Sequence, residues 1–238
     1  MKHSANKPLL RIDQIHVVIA AVNALRGFSL DIYEGQMLSL TGRNGAGKTS
    51  LMRTIMGHLK PVQGLIEWNG TSLIQMPLHK RAAEGIGYMP EDRGLVPELS
   101  VEENILLPIW VSRTLVADER LELVYRVLPE LKGMRDRKAL LLSGGQQKLV
   151  AMARALAVGT KLLLLDEPFE GVAPALAQRL SEVIAGLRGS RLSVLITQSE
   201  SNHAEGLTDL DVVIERGANQ SLTTEPASNR LQALKVQQ

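Results

Sequence analysis

Residues 38–56 read Leu38-Ser39-Leu40-Thr41-Gly42-Arg43-Asn44-Gly45-Ala46-Gly47-Lys48-Thr49-Ser50-Leu51-Met52-Arg53-Thr54-Ile55-Met56. A short apolar run, a glycine-rich turn and a segment of helical character follow one another without interruption. That order of strand, loop and helix decides the fold. The loop satisfies the pattern GxxxxGK[ST]. Its glycines let the backbone curl so that N–H groups point at phosphate oxygens, at the start of a helix whose dipole favours an anion. Lys48 would neutralise the β and γ phosphates, and the Thr49 hydroxyl would ligate Mg²⁺. A Gly-rich turn that happens to end in Lys-Thr would account for the glycines but not for the strand before and the helix after them.

The rest of the chain extends this unit. Leu162 to Leu165 and Val194 to Ile196 are continuous apolar runs, each followed by turn residues and a helical pattern, as in a parallel sheet covered on both faces; Val212-Val213-Ile214 is read as a third. Phe28 to Ile32 and Gly64 to Trp68 alternate instead, which suits an antiparallel sheet with one wet face. Residues of about 98–157 carry helical periodicity, with Leu121, Val124, Tyr125 and Leu128 on one face and a capping box at Ser100 and Glu103. The expectation is one α/β domain over residues 1–238. It has a mixed or parallel sheet core, an N-terminal antiparallel β subdomain and a helical subdomain inserted at about 98–157.

Composition sets the outer bounds. With 238 residues, 45% of them apolar, the chain has enough material for a core. Its 27 Lys and Arg nearly balance 25 Asp and Glu, with no basic block to track a nucleic-acid backbone, so no nucleic-acid partner is expected. The absence of cysteine excludes disulfides, thiolate nucleophiles and Cys metal sites. The segment Met1 to Pro8 leads into mixed sequence without a signal-peptide core, and the tail from Glu225 to Gln238 is polar and weakly patterned. No apolar run approaches the roughly 20 residues needed to span a bilayer. A cytoplasmic protein that touches a membrane only through partner subunits is expected.

Two further stretches carry chemistry. The run Lys161 to Leu165 ends in Asp166-Glu167. Carboxylates at the carboxyl end of a buried strand have a physical reason when a nucleotide and Mg²⁺ lie beside them. Asp166 is read as holding the metal through water and Glu167 as polarising the attacking water, although alone the pair would pass for an acidic cap on the turn at Pro168. In Leu142-Ser143-Gly144-Gly145-Gln146, Ser143 and Gln146 have capping-box spacing, so a helix should begin there and run through Val150, Ala151 and Ala155. Its two glycines leave the helix N-terminus open to an anion.

Together these stretches resemble the ATP-binding subunit of ABC transporters. The signature is Leu142 to Gln146, and the likeness covers roughly residues 10–217. The segments Ala24-Leu25-Arg26-Gly27, Tyr88 to Arg93, Leu99 to Asn104 and Gly171 to Pro174 are similar to the shorter ATP-binding subunit of branched-chain amino acid importers. Similar subunits serve importers of urea, short amides and aromatic acids. The resemblance implies an ATPase using ATP and Mg²⁺, with Gly42, Arg43, Asn44, Gly45, Ala46, Gly47, Lys48, Thr49 and Ser50 on the nucleotide. It implies Glu167, Lys48 and Gln198 in catalysis and Thr49, Asp166 and Glu91 near the metal. Ser143, Gly144, Gly145 and Gln146 would reach the nucleotide of a second ATP-binding subunit, identical or different, arranged head to tail. Polytopic membrane subunits would dock near Glu91 to Gly94 on the cytoplasmic face of the membrane.

Several positions depart from the family pattern. Glu91 replaces the usual Gln. Ile19 or Val18 stands where an aromatic residue normally stacks on adenine, with His16 a possible substitute, so modest affinity and little base selectivity are expected. Ala173 replaces a frequent Asp, and Phe169 and Glu170 are unusual neighbours of it. Gln198 replaces the His that contacts the γ-phosphate, and it is expected to position phosphate or water through hydrogen bonds. Thr197 and Glu200 have capping-box spacing, which gives Glu200 a structural role. Two other readings stay open on the sequence: a nucleotide-binding regulatory module with weak hydrolysis, and a soluble ABC ATPase without a transport role. The second commonly needs a coiled coil or a tandem domain, for which this chain has no room.

Overall fold

The computed structural model of the protein describes residues 7–112, 114–199 and 206–220. Residues 1–6, Glu200 and the tail from Glu225 to Gln238 lie outside the described residues, and with Glu200 lies one half of the expected Thr197/Glu200 capping box.

Two sheets carry the architecture. In the first, β1 (Leu10–Ile19) pairs antiparallel with β2 (Val22–Ile32) and β4 (Gln63–Trp68), and β4 pairs with the short β5 (Thr71–Ser72). The alternation along β2 and β4 sends Phe28, Leu30, Ile66 and Trp68 inward, as the sequence pattern requires. The second sheet contains β3 (Met37–Thr41), β6 (Ile86–Met89), β7 (Leu162–Asp166), β8 (Ser193–Gln198), β9 (Leu210–Glu215) and β10 (Ala218–Gln220). Its order is β10-β9-β3-β8-β7-β6, parallel except for the β9–β10 hairpin.

The run at Val212 differs from its expected place. It does lie parallel to β3, but only Val212 and Ile214 of β9 are buried, and the chain turns into β10 instead of a helix. Near the edge of the sheet, one face of the strand is left to the solvent. There β10 joins the two sheets: the Ser29 N–H donates to Asn219 Oδ1 at 2.8 Å, and Asn219 Nδ2 returns a bond to the Ser29 carbonyl at 2.7 Å.

The parallel strands separate two cores, and period-two alternation assigns side chains to them. Leu162, Leu164, Leu195, Leu38 and Leu40 face the core shared with the antiparallel sheet and with α1 (Lys48–Met56). Leu163, Leu165, Val194, Ile196 and Met37 face the helical core. That core holds α3 (Val101–Trp110), α4 (Ala117–Val127), α5 (Gly144–Val158) and α6 (Pro174–Gly186), while the short α2 (Leu78–Ala83) precedes β6. Both capping boxes form: Ser100 accepts from the Glu103 N–H, and Ser143 accepts from the Gln146 N–H. Arg120 of α4 closes the other end of α5, donating to the carbonyls of Leu156 and Ala157 at 2.8 and 2.6 Å.

Candidate functional site

The glycine loop turns at the carboxyl end of β3 and opens α1. Gly47, the N-cap, has φ 113° and brings no side chain to the first-turn N–H groups, so those donors stay available to an anion. A Cβ at Gly47 would also meet the Ala24 carbonyl at 2.8 Å, which leaves glycine as the residue that fits. An open cleft of about 650 Å³ lies over this helix end. Asn44, Gly45, Gly47, Lys48, Thr49 and Ser50 line it. Gly42, Arg43 and Ala46 support the loop from behind: the Gly42 and Arg43 carbonyls accept from Lys48 Nζ at 2.6 and 3.2 Å, and Ala46 is packed into the core.

The carboxylates arrive from β7. Asp166 continues the face of Leu162 and Leu164, toward α1, and its Oδ1 accepts from Thr49 Oγ1 at 3.2 Å and from Thr197 Oγ1 at 2.6 Å. Burial holds the Asp166 pKa above the ordinary carboxylate value; the Thr197 and Thr49 hydrogen bonds oppose that, and the charges of Glu91 and Glu167 add to it. The Tyr88 hydroxyl donates to Asp166 Oδ2 at 3.4 Å, and its own pKa is raised by burial first and then by Asp166. Glu91 Oε2 lies 3.5 Å from Thr49 Oγ1.

Thr49, Asp166 and Glu91 therefore bring hard oxygen donors to one corner of the cleft, a donor set that fits Mg²⁺. Among the described residues no group of three or more His, Cys, Asp or Glu side chains could hold a metal alone. A cation here would complete its shell with phosphate and water oxygens.

Glu167 is the most constrained residue of the site. Its φ of 48° is left-handed for a non-glycine, a conformation that persists only where neighbours enforce it. Its N–H donates to Thr197 Oγ1 at 3.0 Å. Its carboxylate pairs with Lys48 Nζ at 3.0 Å, with the two side chains only 7% and 5% exposed. The Ser199 N–H and hydroxyl donate to the same carboxylate at 3.1 and 2.8 Å. Lys48 and Glu167, the phosphate-binding and catalytic candidates, thus neutralise each other across the cleft.

Gln198 is not where the sequence reading puts it, and this corrects that expectation. It ends β8 on the same face as Val194 and Ile196, 4% exposed, and its Oε1 has no hydrogen-bond partner among the described residues. It does not line the cleft. The alternation that turns Gln198 away turns Thr197 and Ser199 toward Asp166 and Glu167. Ser199 Oγ lies 2.6 Å from Asn44 Oδ1 and accepts from Lys48 Nζ at 3.2 Å. The Thr197 hydroxyl donates to Asp166 and accepts from the Glu167 N–H. Thr197 and Ser199 are legible in the period-two register that runs forward from Leu195.

Ser143, Gly144, Gly145 and Gln146 begin α5 but do not line this cleft. Near them, Arg93 donates to Gln147 Oε1 at 2.9 Å, and Arg154 donates to the carbonyls of Arg93 and Gly94 at 2.6 and 2.7 Å, tying the segment after Glu91 to α5. On the rim, Ile19 and Val22 are 38% and 65% exposed, and among the described residues no aromatic side chain lines the cleft. Glu170, one of the unusual residues, does line it.

Known proteins resemble this chain in sequence and in fold. A family profile described as "ABC transporter" matches residues 25–170. The high-affinity branched-chain amino acid transport ATP-binding protein BraG of Pseudomonas aeruginosa is 32% identical over 209 residues, covering 88% of this chain and 90% of that protein. The lipopolysaccharide export system ATP-binding protein LptB of Haemophilus influenzae is 36% identical over 171 residues, 71% of each chain. Among solved structures, the ADP conformation of an ATP-binding cassette of an ABC transporter superposes with a TM-score of 0.76 at 27% identity over 97% of both chains. An ATP-binding subunit of an ABC transporter gives 0.81 at 26% identity over 95% of this chain and 94% of that one.

Proposed function

This chain belongs to the ABC transporter family, and from that premise we propose that it powers an importer of branched-chain amino acids or a related small polar solute. As a member of the family it is the ATP-binding subunit of a transporter and an ATPase whose hydrolysis is coupled to transport. Such cassettes work with membrane subunits and dimerise. Among the described residues no helix is long and apolar enough to cross a membrane. In our reading, polytopic partner subunits hold the chain at the cytoplasmic face, and residues 1–238 act as one cassette with the helical part at about 98–157 inserted.

The proposed chemistry follows from the site. The first-turn N–H groups of α1 and Lys48 bind phosphate, and Thr49, Asp166 and Glu91 would hold Mg²⁺, which would supply neutralisation of phosphate charge. Lys48 leaves Glu167 for the phosphate, and the freed carboxylate orients the attacking water and takes its proton. Ser199 keeps that carboxylate aimed. The segment Ser143 to Gln146 reaches the nucleotide of a second cassette placed head to tail, which accounts for its distance from the cleft of its own chain.

Import of amino acids rests on one observation, the likeness to BraG over nearly the whole of both chains. The likeness to LptB supports a second reading, export of lipopolysaccharide. Reconstitution of the chain with its membrane subunits separates them. Turnover stimulated by a solute-loaded binding protein supports import; turnover stimulated only by lipopolysaccharide overturns it.

A further inference from the structure

We propose that Lys148 is a positioning residue for hydrolysis: its buried ammonium holds the backbone turn that aims the Glu167 carboxylate into the cleft. The proposal rests on reading Glu167 as the group that activates water.

Lys148 lies in α5, shortly after the cap at Ser143, and is 4% exposed. A buried ammonium is costly unless it is fully engaged, and here it donates to two main-chain carbonyls, Glu167 O at 2.9 Å and Glu170 O at 2.6 Å. The Glu170 N–H also donates to the Glu167 carbonyl, at 3.2 Å, so residues 167–170 form a tight turn whose oxygens converge on Nζ. Glu167 begins that turn in the left-handed region. Its amide is fixed by Thr197 from β8 and its carbonyl by Lys148 from α5. With both flanking peptide groups held, the side chain has one direction to take, into the cleft beside Lys48.

The test is Lys148→Met, close in length but without a donor, assayed in the full chain beside Lys148→Arg and Glu167→Gln. Expected for Lys148→Met is a loss of about 10-fold or more in kcat, the scale set by a misplaced reacting group. The dissociation constant for MgATP and the KM should stay within about 2-fold, as for a residue that touches neither substrate nor phosphate. Lys148→Arg should recover much of the loss. In a Glu167→Gln background, Lys148→Met should change the residual rate by less than about 2-fold, because the group through which it acts is already gone. Retained kcat, weakened ATP binding in proportion to lost turnover, or multiplying effects of the two substitutions would each overturn the proposal. If Lys148→Met does not fold, Lys148→Gln is read by the same criteria. Turnover that survives Glu167→Gln removes the base and the clamp together. Turnover lost in Glu167→Gln but kept in Lys148→Met overturns the clamp alone.

Discussion

Lys48→Met should destabilise the nucleotide-free protein as well as abolish hydrolysis. The substitution leaves Glu167 as a carboxylate 7% exposed with its cation gone. At an effective dielectric constant of about 20, unit charges at the observed 3.0 Å attract by roughly 5.5 kcal/mol. Desolvation takes back part of that, and deleting one partner of a buried pair costs about 3–5 kcal/mol. Glu167 keeps the Ser199 N–H and hydroxyl, which argues for the lower end, about 3 kcal/mol. A domain of this size loses about 2–4 °C per kcal/mol, so the variant should melt about 6–12 °C below wild type in nucleotide-free scanning calorimetry. Glu167→Gln should cost less, about 1 kcal/mol, because Lys48 retains the Gly42 and Arg43 carbonyls. The double variant should then be more stable than the sum of the two losses predicts, by about 1.5 kcal/mol or more. Additivity within about 0.5 kcal/mol would show that the pair carries no coupling and would refute the account of the resting cleft.

Three other outcomes are expected. At saturating ATP, Ser199→Ala should lose more turnover than Gln198→Ala; the reverse order would return the phosphate contact to Gln198. Asp166→Asn should abolish Mg²⁺-dependent hydrolysis and yet, without nucleotide or metal, melt above wild type at pH 7. The sign follows because burial raises the folded pKa of Asp166 above its unfolded value. Its contribution to stability is therefore present below 3.8 and lost as pH rises through the folded value. The difference in melting temperature between variant and wild type should close as pH falls toward 3.8; a gap that widens on acidification would contradict it. With Ile19 and Val22 on the rim in place of an aromatic face, GTP should compete with ATP at comparable concentrations in a displacement assay, and exclusion of GTP would count against that reading.

Much of the molecule is legible in its sequence. The phosphate loop, the strand ending in Asp166-Glu167 and the capping box at Ser143 are local features, written in spacing over a few residues and realised by hydrogen bonds within the same few residues. The alternation of β2 and β4 and the apolar runs of β7 and β8 placed both sheets, since burial on one face or two leaves its own pattern. The run at Val212 misled because three apolar residues do not reveal whether a strand is central or near an edge.

What the sequence by itself determined about this protein is a set of chemical groups and the elements that carry them. Only the tertiary structure decided which groups meet, because contacts such as Lys48 with Glu167, Thr197 with Asp166 and Lys148 with the Glu167 carbonyl join segments that are far apart in the chain. A one-residue step along β8 exchanges the two faces of the sheet, and that step moved the polar contact at the strand's end from Gln198 to Ser199. The register of β8 against β7 and β3 makes that choice, and it is set by the packing of both cores together.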